Sequence, residues 1–221
     1  MNHRLLATYQ MLNSQLASKN DCEVLSEVVE YCFLNKVPIV EPDVAAFLTV
    51  LLRIRPAARI LELGTGVGYS SLLFSFMCPL AEVVTFESDT ECCAVAQKMF
   101  AKSTAHDRIR CSNTDISSAL RKLTGKFDFV FIDADKESYR KYFSEIFGLL
   151  SDNAIVVADD VYFTGEVHGI PLSGVDPERI KRSLADYRMC VCNHSEFATT
   201  FIPIGCGVGI SVRSRSKAEC R

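Results

Sequence analysis

Apolar residues recur at intervals of three and four in "DCEVLSEVVEYCFLNK" (21–36), and again after Pro42 in "EPDVAAFLTVLLRI". That spacing predicts amphipathic helices. With the helix-like "MNHRLLATYQMLNSQLASKN" before them, it predicts a helical extension over residues 1–55. After Pro56 the pattern changes to short apolar runs rich in Val, Ile and Phe, separated by longer amphipathic segments. The runs predict strands at 59–63, 82–87, 108–113, 127–133 and 154–159, and the segments predict helices near 69–77, 89–102, 116–123 and 138–149. Near-continuous apolar strands alternating with helices imply a mostly parallel sheet covered on both faces, the α/β class. The end of the chain differs. After a helix near 176–189, "FATTFIPI" and "GVGISVR" are separated only by Gly205 and Cys206, which predicts an antiparallel hairpin and brings the strand count to seven.

Composition narrows the picture only a little. A length of 221 residues suits one domain, 1–221, with residues 56–221 as the α/β core. The hydrophobic content of 48% provides ample core, and a net charge of −3 gives no whole-protein attraction to nucleic acid or membrane. No apolar run approaches the roughly 20 residues that span a bilayer. The N-terminus does not read as a signal peptide, so a cytoplasmic location is expected. Many of the ten cysteines sit in apolar stretches and no pair is spaced CxxC, as expected of small buried hydrophobes in a reducing compartment. "CVCNH" (190–194) lacks the second ligand pair a zinc site needs.

Chemistry gathers at the strand ends. "LELGTGVGYS" (61–70) follows the first strand and opens a helix. Gly64, Gly66 and Gly68 allow a sharp turn and close approach of a ligand to the backbone. A dinucleotide fold would show G-x-G-x-x-G. Here the third glycine comes one residue early and Glu62 precedes the loop, the acid-x-G-x-G-x-G pattern of enzymes that use S-adenosylmethionine (SAM). Glu87 ends the second strand, where a carboxylate can accept hydrogen bonds from both ribose hydroxyls. Asp115 follows the third strand.

The fourth strand runs into Asp133, Asp135 and Lys136, and the fifth into Asp159 and Asp160. In such a sheet the fourth and fifth strands adjoin the first, so these acids are expected beside the glycine turn. Like charges at such range repel strongly unless neutralised by protonation, a basic partner or a hard divalent cation. Lys136 offsets one charge at most, which favours Mg²⁺ or a similar ion (Mn²⁺, Ca²⁺). Asp135 alternatively caps the helix that follows. A metal beside a methyl donor suggests that two adjacent acceptor oxygens chelate the ion and that one attacks the sulfonium methyl, with Lys136 as base.

Taken together, "LELGTGVGYS", "FDFVFIDADK…Y…Y" and "VVADDVYFTGEV" resemble the metal-dependent catechol and caffeoyl-CoA O-methyltransferase family, from about Val37 to the C-terminus. "PIVEPDVAAFL" and "PIGCGVGISV" look most like its bacterial branch, which includes tRNA 5-hydroxyuridine methyltransferases. The resemblance implies a Rossmann-like fold with strand order 3-2-1-4-5-7-6. It implies metal ligands at Asp133, Asp159 and Asp160, and a catalytic pair of Lys136 and Asp133. It implies cofactor contacts at Val40, Glu62, Gly64, Gly66, Gly68, Ser70, Glu87, Asp115 and Asp133, and a homodimer. Two departures stand out. Asp160 replaces the usual Asn, and Gly205-Cys206-Gly207 replaces a Gly-Asp-Gly turn.

Three functions remain open on the sequence. The first is methylation of a catechol-like small molecule, with Tyr162, Phe163 and the loop 164–177 as the substrate wall. The second is methylation of a tRNA anticodon loop at wobble 5-hydroxyuridine, for which Arg53, Arg55 and Arg59, or Arg179, Lys181 and Arg182, would have to meet phosphates. The third is SAM binding without catalysis.

Overall fold

The computed structural model describes residues 3–16, 18–163, 166–167, 170–171 and 176–214, and the chain divides into two compact units, 1–116 and 117–221. The first unit begins with α1 (His3–Leu16), α2 (Lys19–Asn35) and α3 (Pro42–Ile54). Ser18 caps α2 by accepting from the Asp21 amide, and Asp21 in the first turn complements the helix dipole. Asp21 is buried and also accepts from the Thr104 amide (3.0 Å) and hydroxyl (2.8 Å). This ties the helical extension to the α/β part of its own unit. Pro42 opens α3, where its missing N–H costs nothing.

Strand and helix then alternate as β1 (Arg59–Leu63), α4 (Tyr69–Met77), β2 (Glu82–Glu87), α5 (Thr90–Lys102) and β3 (Ile109–Asn113). β1 and β2 pair in parallel with Ile60 opposite Val83, and β2 and β3 with Val83 opposite Ile109. Successive residues of β1 and β2 are buried, as a sheet covered on both faces requires.

The chain continues through α6 (Ile116–Leu120), β4 (Phe127–Ile132), α7 (Tyr139–Ile146) and β5 (Leu150–Ala158). The short pair β6 (Glu166–Val167) and β7 (Ile170–Pro171), α8 (Pro177–Cys192), β8 (Phe197–Ile202) and β9 (Val208–Arg213) complete it. β4 and β5 are parallel, whereas β9 is antiparallel to both β5 and β8. An aromatic cluster packs the second unit. The Phe143 ring lies 5.1 Å from Phe197 and 6.1 Å from Tyr187, and Tyr139 meets Tyr187 edge-on at 5.6 Å. The seven-stranded sheet runs β3-β2-β1-β4-β5-β9-β8. Leaving aside β6 and β7, this is the expected order 3-2-1-4-5-7-6.

Several boundaries differ from the sequence expectation. α6 stops at Leu120 rather than 123, and α7 is shorter than 138–149 because 3₁₀ turns at Lys136–Ser138 and Phe147–Leu149 flank it. β5 starts at Leu150, four residues early, because Leu150 already pairs with Phe127 across a register shift. The hairpin turn spans residues 203–207 rather than two. Among the described residues no helix is long and apolar enough to cross a membrane.

Candidate active site

In the first unit the glycine turn is held by β2. The amides of Gly64 and Thr65 both donate to the Phe86 carbonyl, each at 3.2 Å. Gly66 (φ 52°) donates its amide to Glu87 Oε2 at 2.8 Å, and Asp89 donates to Glu87 Oε1 at 2.9 Å. Glu87 therefore braces the turn from the end of β2, and each oxygen retains a further lone-pair direction for a ligand. A Cβ on Gly66 would meet nothing within 4 Å, so the turn presents bare backbone to open space. A Cβ on Gly68 (φ 95°) would strike the Phe100 ring at 2.5 Å and approach Ala96 at 3.3 Å, so this glycine is needed for packing against α5.

Glu62 is fully buried and lies beneath the turn. Its Oε2 accepts from Ser71 and from Thr85 (2.7 Å), and Thr85 in turn bonds Thr65 at 2.6 Å. Its evident part is to lock β1, β2 and α4 together. Ser70 is buried in the first turn of α4, and Asp115 is exposed after β3.

Val40 is buried, and its carbonyl accepts a 2.6 Å hydrogen bond from the Tyr9 hydroxyl. Tyr69, the first residue of α4, donates to Asn13 at 2.8 Å, and the Tyr9 and Tyr69 rings meet edge-on at 5.7 Å. Tyr9 and Asn13 thus pin α1 to the segment around Val40 and to the end of the glycine turn. Sequence reasoning missed both, since the paired positions are 31 and 56 residues apart.

In the second unit the ends of β4 and β5 are joined by the Asp159 amide, which donates to the Ile132 carbonyl at 3.0 Å. Lys136, on the 3₁₀ turn after β4, places its ammonium 2.7 Å from Asp133 Oδ1, 2.8 Å from Asp160 Oδ2 and 2.9 Å from the Tyr139 hydroxyl. Burial alone would lower the Lys136 pKa. The charges of Asp133, Tyr139, Asp160 and Asp159 outweigh it and hold the amine well above its usual range. Asp159 is buried, and its Oδ1 accepts from the Asp160 amide at 2.8 Å. Burial, then Asp133 and Asp160, push its carboxyl well above the usual range, with Lys136 opposing.

Asp160 has a left-handed backbone (φ 57°), a conformation that Asn and Asp tolerate better than other L-residues, which is why Asp can stand where Asn is usual. Asp135 accepts from the Glu137 amide (3.2 Å) and the Ser138 hydroxyl (2.6 Å), which is the capping role.

The three carboxylates offer hard oxygen donors, and a cationic group already bridges two of them, so the chemistry fits a divalent ion. Among the described residues no three His, Cys, Asp or Glu side chains form a ready-made ligand set. Tyr139 was missed as part of the cluster, although its spacing of three from Lys136 is the one available signal.

Tyr162 and Phe163 separate. Tyr162 is 47% exposed, whereas Phe163 is buried and does not face solvent as a substrate wall would. The amides of Val161 and Tyr162 donate to the carbonyls of Gly207 and Cys206, each at 2.9 Å. A Cβ on Gly207 would collide with the Tyr162 ring at 2.3 Å, which accounts for the second glycine of the turn. Arg188 stacks on Tyr162 at 4.7 Å and donates to the Val161 carbonyl. Most of the loop 164–177 lies outside the described residues.

Half of the basic residues singled out have carboxylate partners close by. Arg59 pairs with Glu82, Arg179 with Glu137 and Lys181 with Glu178. His194 of "CVCNH" packs among Phe143, Phe147 and Phe197, an aromatic rather than a metal environment.

The strand order and the braced glycine turn define a Rossmann-like methyltransferase fold. The chain belongs to the O-methyltransferase family, whose profile matches residues 15–213. A catechol O-methyltransferase from Niastella koreensis is 34% identical over 133 residues, covering 58% of this chain and 60% of that protein. A flavonoid 3',5'-methyltransferase from Vitis vinifera is 27% identical over 168 residues, covering 73% and 69%. The matched stretches thus span 50% to 69% of the first three curated relatives. Among solved structures, an O-methyltransferase from Bacillus cereus in complex with SAH gives a TM-score of 0.78 at 25% identity, covering 97% of this chain and 100% of that one. The O-methyltransferase TomG from Streptomyces achromogenes in complex with SAM gives 0.79 at 25% identity, covering 97% and 99%.

Proposed function

We propose that this protein transfers a methyl group from SAM to a hydroxyl that has a second oxygen beside it, as in a catechol-like small molecule, with the help of a divalent cation, and that it works as a homodimer. The observation that carries the reading is the Lys136 ammonium held between Asp133 and Asp160 with Asp159 adjoining. Such a set of hard donors with an intrinsic counter-cation suits Mg²⁺ and an oxygen acceptor. Family membership and the SAH- and SAM-bound relatives support the donor.

In this reading the backbone of Gly64, Gly66 and Gly68 lets the donor approach, and Glu87 accepts from its ribose while bracing Gly66. Val40, Ser70 and Asp115 complete the donor contacts. Asp133, Asp159 and Asp160 would hold the cation, which when bound would lower the pKa of the acceptor hydroxyl and fix its position. Lys136 is held as an ammonium by the negative charge around it. It becomes a base only when that charge is taken up elsewhere, so proton removal is coupled to the state of the three aspartates. Tyr162, the exposed aromatic after Asp160, is the described residue best suited to contact an aromatic acceptor.

A catechol-like acceptor is preferred to tRNA, because half of the candidate phosphate-binding cations are engaged with neighbouring acids. The test supplies labelled SAM and Mg²⁺ with catechols in one arm and tRNA lacking the wobble methyl in the other. Chelator-sensitive label in catechols is the expected result. Asp133→Ala is expected to abolish turnover while SAH affinity stays within about twofold, since Asp133 serves mainly the cation. Label in tRNA alone would overturn the acceptor, and unchanged turnover in chelator would overturn the metal.

A further inference from the structure

The mechanism leaves the cysteines unused, and two of them meet. Cys93 on α5 and Cys111 on β3 lie with their sulfurs 3.5 Å apart. Cys93 is buried and Cys111 is partly exposed on β3, the edge strand of the sheet. The Cys111 thiol also faces the Thr65 hydroxyl of the glycine turn, at 3.8 Å. We propose that Cys93 and Cys111 are a redox modification site, a dithiol that closes to a disulfide by exchange with a small oxidised disulfide such as glutathione disulfide and thereby loosens the donor-binding turn.

The steps balance. The Cys111 thiolate attacks one sulfur of the small disulfide, a mixed disulfide forms and one thiolate leaves. Cys93 loses its proton, attacks the Cys111 sulfur and expels the second thiolate. The two cysteines are oxidised by two electrons, and the small disulfide is reduced to two thiols. The geometry assigns the roles, because only Cys111 of the pair has a solvent-facing surface and Cys93 already lies at van der Waals contact behind it. Burial, with a smaller contribution from Cys93, pushes the Cys111 thiol up to about 12. Attack is therefore slow at neutral pH, but the disulfide once made has poor thiolate leaving groups and resists reduction. Closure brings the sulfurs from 3.5 Å to about 2.05 Å. It draws Cys111 from Thr65, whose hydroxyl links through Thr85 to Glu62 beneath the glycine turn.

The test incubates the full chain with glutathione disulfide, maps linked peptides by mass spectrometry with fragmentation, and measures SAH binding by calorimetry before and after. The expected result is a Cys93–Cys111 link, SAH affinity lower by about three- to tenfold, and recovery of both with dithiothreitol. Cys93→Ser should give no intramolecular link and trap glutathione on Cys111. Glutathione adducts on other cysteines without the link would overturn the proposal. So would a link that leaves SAH affinity unchanged. Because SAH binding is the readout, failure here leaves the acceptor and metal assignments standing.

Discussion

Gly66 and Gly68 lie two residues apart with positive φ, yet alanine should act differently at each. At Gly66 (φ 52°) a Cβ meets no atom within 4 Å, so Gly66→Ala bears only the left-handed backbone cost of about 1–2 kcal/mol. The new methyl projects where the donor must approach bare backbone, so SAH affinity should fall at least tenfold. At Gly68 (φ 95°) the Cβ lies 2.5 Å and 2.7 Å from Phe100 ring atoms and 3.3 Å from Ala96. Phe100 is buried, so its ring has little room to withdraw. Overpacking of about 1–3 kcal/mol adds to the backbone cost, for about 2–5 kcal/mol in all. Urea unfolding gives the stabilities, and calorimetry with SAH gives the affinities of whatever remains folded. Equal stability losses in the two variants would refute the packing argument. Wild-type SAH affinity in Gly66→Ala would refute the assignment of the turn to the donor.

Lys136→Met removes the ammonium between the half-buried Asp133 and Asp160 and should cost about 1.5–3 kcal/mol in metal-free buffer. Mg²⁺ should then raise the melting temperature of the variant more than that of the wild type, and no Mg²⁺ effect on either would contradict the cation site. Tyr9→Phe deletes the hydroxyl that satisfies the Val40 carbonyl and should cost about 1–3 kcal/mol by urea unfolding. It should also weaken SAH binding, because Val40 is then less firmly held, and unchanged affinity would mean that Val40 makes no donor contact.

Much of the fold was legible because its signals are local. β1 and β2 match their predicted limits, since a strand buried on both faces is a short apolar run bounded by polar turns. The glycine turn and the acids at the ends of β4 and β5 were equally visible, each lying within a few residues of a strand end. The early start of β5 was not, because Leu150 joins the sheet through its partner Phe127 rather than through any local pattern.

The apolar runs before them placed Asp133, Lys136, Asp159 and Asp160 near strand tips, and the shift of Lys136 toward the ammonium depends on how many carboxylates surround it in space. The motif marks Glu62 as a cofactor contact, and the fold adds that its carboxylate is buried and accepts from Ser71 and Thr85, which no local pattern shows. Phe163 was read as substrate wall, and only the fold turns it inward while leaving Tyr162 exposed on Gly207. The bonds of Tyr9 to Val40 and Tyr69 to Asn13, and the meeting of Cys93 with Cys111, join positions that no periodicity connects. Hydrophobic spacing reports which face of an element is covered. Which polar group meets which depends on how the covered faces stack, and that is decided only when the whole chain has packed.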